Sequence, residues 1–143
     1  QIKWVNDVYV NNKKICGILT EAVSDFELGI VTSVIVGIGI NIKTNDFPED
    51  VERAGSLNTD IRRADLIGAV ADELLDIIGG KYSDFIDYYR NHSMIIGKHI
   101  NYIENGIVTP ATAISIDEAG GLVVKTENGT EKTLKSGEIS IRW

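Results

Sequence analysis

In the first third of the chain, apolar and polar positions alternate with the period of a half-buried strand. Residues 8–10, "VYV", set an aromatic between two valines, and Asn11-Asn12 then supplies a pair able to take positive φ in a tight turn. A second strand is expected over residues 14–21, "KICGILTE". After Ser24-Asp25 and Gly29 a third runs through "SVIVGIGINI". Together the three predict an antiparallel meander.

The period then changes. Ile67, Val70, Ala71, Leu74, Ile77 and Ile78 fall on one helical face, and Gly79-Gly80 stops the run. Tyr82, Phe85, Ile86 and Tyr89 mark a second amphipathic helix starting at Ser83 or the turn before it. Between sheet and helices, "DFPEDVERAGSLN" predicts a loop and one short helix with Pro48 near its first turn. After Gly97, short strands alternate with turn signals at Asn105-Gly106, Gly120-Gly121, Asn128-Gly129 and Ser136-Gly137, the punctuation of a small β-barrel. The expectation is an α+β fold, a mostly antiparallel sheet packed on helices, followed by that barrel. No Pro- or Ser-rich linker separates the parts.

Composition narrows the function classes. With 143 residues, 43% hydrophobic and 24% charged, the chain suits one compact domain, or a modest domain with an appendage. A net charge of −7 argues against a non-specific nucleic-acid binder but leaves room for a local basic pocket. The single cysteine, Cys16, lies between Ile15 and Ile18, which predicts a buried, inert thiol and fits a reducing compartment. His92 and His99 have no partners at metal-ligand spacing, so no metal site is expected. The longest apolar run, residues 30–42, falls short of the ~20 residues that a membrane span needs. The sequence opens on Gln1, directly before a strand-like segment, which predicts a piece whose upstream half lies elsewhere.

"GIGIN" invites a dinucleotide-binding reading, but that fingerprint needs a third glycine and entry into a helix. Position 42 is isoleucine, and the strand alternation continues. Val36, Ile38, Ile40 and Ile42 share one face, an apolar ridge able to bury against the helices; Gly37, Gly39 and Asn41 share the other with Ile35. Strand glycines mark close approach of a ligand or of another backbone. Two readings therefore stand: a bare patch for a ligand, with Asn41 offering donor and acceptor to an adenine edge, or clearance for a crossing strand or ring. Lys3, Lys13 and Lys14, beside Asn6 and Asp7, are either solvated hairpin residues or charges suited to carboxylate and phosphate oxygens. On a regular strand Lys14 and Gly17 face opposite ways, so both can meet one ligand only through a bulge or through backbone contact.

Read together, "KWVND", "KKICGILTE", "GIGIN" and the C-terminal "IDEAGGL" and "SGEISIR" resemble the biotin–protein ligase family, also called biotin–acetyl-CoA-carboxylase ligases. The resemblance spans nearly the whole chain and implies residues 1–95 as the C-terminal half of a catalytic domain, related to class II synthetases. Residues 96–143 would be an SH3-like terminal domain. The implied reaction is ATP-dependent: biotin's carboxylate attacks the α-phosphate to give biotinyl-5′-AMP, and a lysine of a biotin carboxyl carrier protein then takes the biotin. Lys14, Lys3 and Asp7 match catalytic positions. Lys14, Gly17, Leu19, Gly37, Gly39, Asn41 and Asn6 match substrate-binding ones. Glu138 and Arg142 match positions linked to ATP or carrier-protein engagement. Mg²⁺ would accompany ATP, and the setting would be cytoplasmic, with a homodimer as one state of assembly.

Two departures stand out. Val5 replaces the proline of the family's lysine-tryptophan-proline-asparagine-aspartate motif. The family's Gly/Arg-rich loop over biotin and the adenylate is missing from these residues, which predicts weak or absent turnover. The alternatives are a lipoate-type ligase with the same adenylation logic and a non-catalytic partner-binding module.

Overall fold

The computed structural model describes residues 1–25, 27–48 and 53–141. Among them are nine strands and two helices, grouped in two compact units, Asn6–Thr59 and Gln1–Val5 with Asp60–Trp143.

The first unit is the expected meander: β2 (Asp7–Val10), β3 (Lys13–Asp25) and β4 (Ile30–Ile40), each antiparallel to the next. Asn11 and Asn12 make the β2–β3 turn with φ of 49° and 60°, the conformation for which asparagine is enriched. β3 runs through Ser24-Asp25 instead of turning there. The Asp25 carboxylate accepts from the Glu27 and Leu28 amides at 2.9 and 3.0 Å and so caps the hairpin end. Of residues 46–58, where a loop and one short helix are expected, residues 49–52 next to Pro48 lie outside those described, and residues 53–58 carry no helix.

The ridge of Val36, Ile38 and Ile40 is not buried: every residue of β4 is exposed or half-buried, and Ile42 beyond it is half-buried. Alternation fixes which side chains share a face, but burial needs a second layer over that face. Neither helix supplies a buried residue.

In the second unit, β1 (Ile2–Lys3) bridges Ser93, and the Met94 amide donates to the Ile2 carbonyl at 2.8 Å. Helix α1 (Arg63–Ile78) stops at Gly79 as expected. Helix α2 (Phe85–His92) begins after Asp84, so Tyr82 precedes it. A five-stranded antiparallel sheet follows, in the order β8 (Glu131–Leu134), β7 (Leu122–Thr126), β6 (Ile107–Ile116), β5 (His99–Glu104), β9 (Glu138–Ile141). Its turns use the expected residues, with φ of 51° at Asn105, 82° at Gly120 and 86° at Gly129. The core sits here. Ile95, Ile100, Ile116, Leu122 and Val124 are fully buried, with Ala113, Met94 and Trp4 around them. At about 1.5–3 kcal/mol for each large aliphatic, an upper range, this layer is the main source of the unit's stability.

Candidate functional site

The β2–β3 register decides which side chains meet. Asp7 lies opposite Gly17 and Val8 opposite Cys16, but Tyr9 lies opposite Lys14, so the ladder skips Ile15. That bulge reverses the parity of β3. Ile15 and Cys16 are buried side by side in sequence, and Lys14 shares a face with Asp7 and Gly17. Its ammonium lies 2.7 Å from an Asp7 carboxylate oxygen.

Because the ion pair is partly exposed, it contributes only about 0–1 kcal/mol to stability. Its effect is geometric: it holds a flexible cation over one spot of the sheet. That spot is Gly17. A Cβ there would stand 3.3 Å from the Lys14 Cε and 3.4 Å from its Nζ, closer than side chains ordinarily pack.

Across β3–β4, Gly17 faces Gly39 and Leu19 faces Gly37. A Cβ at 37 or 39 would meet only a backbone oxygen, at 3.7 and 3.8 Å, which is ordinary contact. Among the described residues, no crossing strand or ring approaches either position within 4 Å. Nothing in the described structure requires glycine there, and what the pair leaves is open surface. The resulting cleft, about 600 Å³, is lined by Asn6, Asp7, Lys14, Gly17, Leu19, Gly37 and Gly39, with Ile18 and Ile38 between them. Its size lies within the range of small-molecule sites.

Backbone clips fix the cleft's polar groups. The Asn6 carbonyl accepts from the Ile18 amide at 3.0 Å, and its side-chain Nδ2 donates back to the Ile18 carbonyl. On the other side of Lys14, its amide donates to the Arg53 carbonyl at 2.7 Å and its carbonyl accepts from Gly55 at 2.9 Å. A Cβ on Gly55 would fall 2.6 Å from the Lys13 Cβ, so this clip needs glycine. The sequence predicts loop or helix over residues 53–55. The one signal available was a glycine beside a polar run, which is too common to single out.

Two groups within reach of the Asp7 and Lys14 charges have shifted titrations. Burial pushes the Cys16 thiol and the Tyr9 phenol up, and the nearby Asp7 charge adds to both; Lys14 opposes it. The Cys16 thiol therefore stays protonated near neutrality, as its apolar flanks predict.

The remaining expected residues lie elsewhere. Asn41 follows β4 and is not among the cleft's lining residues; its amide donates to the Ile15 carbonyl at 2.8 Å and its carbonyl accepts from Leu57 at 2.9 Å. Lys3 lies in β1 and Glu138 opens β9, both in the second unit. Arg142 lies outside the described residues. Among the described residues no group of three or more His, Cys, Asp or Glu is arranged to hold a metal ion.

Comparison with known proteins converges on one family. Residues 1–41 match the Biotin/lipoate A/B protein ligase family, and residues 95–142 match the Biotin protein ligase C terminal domain. The Bifunctional ligase/repressor BirA of Bacillus subtilis (strain 168) is 32% identical over 98% of this chain and 46% of its own length. The BirA of Escherichia coli (strain K12) is 30% identical over 99% and 46%. The chain thus spans about half the length of these relatives. Among solved structures, the apo biotin protein ligase from Aquifex aeolicus is similar with a TM-score of 0.80 and 29% identity, over 99% of this chain and 64% of that one. The same enzyme in complex with biotin and ATP gives 0.74 and 28%, over 99% and 61%. By sequence and by fold, the chain belongs to the biotin protein ligase family.

Proposed function

We propose that this chain carries one wall of an adenylation site in which biotin and ATP react to give biotinyl-5′-AMP and pyrophosphate. A lysine of a biotin carboxyl carrier protein would then take the biotin. The observation that carries the reading is the Lys14 ammonium, held by Asp7 over a glycine-cleared strand face. Attack of the biotin carboxylate on the α-phosphorus builds negative charge on the phosphate oxygens. A fixed ammonium at that point stabilises the transition state without reorganising. Asp7 orients the ammonium, Asn6 closes the rim, and Gly17, Gly37 and Gly39 let the acyl-adenylate lie against the backbone. Leu19 offers apolar contact. Lys3 and Asn41, and Glu138 and Arg142 toward ATP or the carrier protein, are proposed on the family resemblance alone and are not part of this cleft's lining.

Asp7 is the one carboxylate lining the cleft among the described residues, and Lys14 already engages it. The donor set fits a Mg²⁺ ion carried by ATP phosphates, which would screen the leaving pyrophosphate, and does not fit a resident ion. In this reading residues 1–95 belong to the catalytic domain and residues 96–143 form an SH3-like terminal domain. None of the described helices is long and apolar enough to cross a membrane; the cytoplasmic setting is proposed from the family resemblance. The outer edge of β4 is open to pairing with a second copy in a homodimer.

Titration calorimetry of the chain with biotinyl-AMP tests the site. Lys14→Ala removes one charge-assisted hydrogen bond, about 1.5–3 kcal/mol, and should weaken binding about 10- to 150-fold. No binding by the wild-type chain, or equal binding by Lys14→Ala, overturns the reading. The family matched by residues 1–41 includes lipoate ligases. Tighter binding of lipoyl-AMP than of biotinyl-AMP would favour the lipoate reading.

A further inference from the structure

The family resemblance matches Asn6 to a substrate-binding position, but its hydrogen bonds run into the sheet. The register between β2 and β3 starts with Asp7 opposite Gly17. One residue before it, the Asn6 carbonyl still accepts from the Ile18 amide at 3.0 Å. A regular antiparallel pair of this kind exchanges two main-chain hydrogen bonds. Here the side chain makes the second, with Asn6 Nδ2 donating to the Ile18 carbonyl.

This exchange fixes the orientation of the carboxamide. A carbonyl oxygen carries no proton, so only the nitrogen of Asn6 can face the Ile18 oxygen, and Oδ1 turns to the other side. The bond also falls at a sensitive place. Ile18 lies between Gly17 and Leu19, which line the cleft with Gly39 and Gly37 opposite them. Among the described residues of this unit, Asn6 is the last to hold β3 from the β2 side. At Leu19 the strand is paired with β4, through Gly37. Three of these four floor positions are glycine and bring no side chain to brace the strands, so the floor keeps its shape through main-chain hydrogen bonds.

We propose that Asn6 is a positioning residue: its carboxamide stands in for a main-chain N–H, ends the β2–β3 ladder and holds the Gly17–Leu19 floor for the acyl-adenylate without touching it. The inference rests on the adenylation reading for its ligand. It gives Asn6 a part distinct from that of Lys14, whose ammonium meets the phosphate directly in that reading. An Ile18 carbonyl without this donor would be left short of a partner at the rim, and the strand beside Gly17 would shift to find one.

Nuclear magnetic resonance on the whole isotope-labelled chain tests this. The coupling transmitted across the hydrogen bond, from Asn6 Nδ2 to the Ile18 carbonyl carbon, reports the bond itself. It should be present in the free chain and persist when biotinyl-AMP is added. Asn6→Asp keeps the shape and an oxygen but loses the donor, while Asn6→Ala loses the carboxamide without adding charge. Both should speed exchange of the Ile18 amide by about fivefold or more. The Asn41 amide, bonded to the Ile15 carbonyl in the same unit, should be unchanged. Both variants should also weaken biotinyl-AMP binding, by about tenfold or more.

Absence of the coupling in the free chain overturns the inference, as does wild-type exchange at Ile18 in both variants. Loss of the coupling on adding biotinyl-AMP would give the nitrogen to the ligand. Wild-type affinity in Asn6→Asp beside a loss in Asn6→Ala would give it the oxygen. Either result makes Asn6 a direct contact and ends the positioning role. If the variants do not fold, the coupling in the wild-type chain, free and bound, decides alone. If the wild-type chain does not bind biotinyl-AMP, the adenylation reading fails, while the coupling and the Ile18 exchange still decide whether Asn6 holds the floor.

Discussion

Lys14 and Gly17 show how one residue's position can hang on its neighbour's. Regular alternation sets them on opposite faces, and Ile15, skipped by the β2–β3 ladder, brings them together. A bulge requires no distinctive residue, so the sequence could pose the parity conflict and name its resolution without locating it. Cys16 was more legible, since a thiol between isoleucines is best placed in apolar surroundings. Burial raises it above its ordinary 9.0, and raises Tyr9 above 10.0. In both groups the fold favours the protonated form. Their contribution to stability is therefore complete below the ordinary values and declines as pH rises from about 9 through the raised values. Melting temperature should fall across that window, and Cys16→Ala should fall less steeply from pH 9 upward. A wild-type profile that stays flat or rises between about pH 9 and 10.5 would contradict the assigned direction.

At the scale of elements, the structure follows the periodicity and the turn chemistry of the sequence. Helix α1 ends at its glycines, the Asn11-Asn12 turn adopts positive φ, and the C-terminal strands fall between the expected turns. Burial of β4 was not legible, because a strand's own pattern does not say whether a layer covers it. Nor was the clip formed by residues 53–55, whose hydrogen bonds to Lys14 come from the backbone and leave no side-chain signature. That clip makes a specific claim. Gly55→Ala places a Cβ 2.6 Å from the Lys13 Cβ, too close for either backbone to keep its place. The expected cost is about 1–3 kcal/mol in denaturant unfolding, the range for overpacking. Biotinyl-AMP binding should weaken as well, because the backbone under Lys14 shifts. Gly68→Ala is the control: it has open space around it in α1, and alanine favours helix, so stability should hold or rise. Equal stability of Gly55→Ala and wild type would remove the clip from the account of the site.

Across the whole molecule, the fully buried side chains are concentrated in the second unit, while the cleft lies in a unit with few buried residues. Val31, Val34, Ile35 and Val36 on β4 and Ile67, Leu75, Ile77 and Ile78 on α1 are all exposed, and the chain spans about half the length of its BirA relatives. Binding and turnover make different demands on such an arrangement. Binding needs the Lys14 ammonium and the bare strand face, both of which this chain has. Turnover also needs exclusion of water, so that the phosphate charge is met by fixed groups and the acyl-adenylate survives to meet its acceptor. A cleft built on one strand face does not enclose its ligand. The expected outcome is that the purified chain binds biotinyl-AMP yet releases pyrophosphate from biotin and ATP at a rate close to background. Calorimetry and a coupled pyrophosphate assay on one preparation separate the possibilities. Neither binding nor turnover points to a partner-binding module. Turnover well above background would show that a single glycine-cleared wall with one oriented lysine is enough for the adenylation.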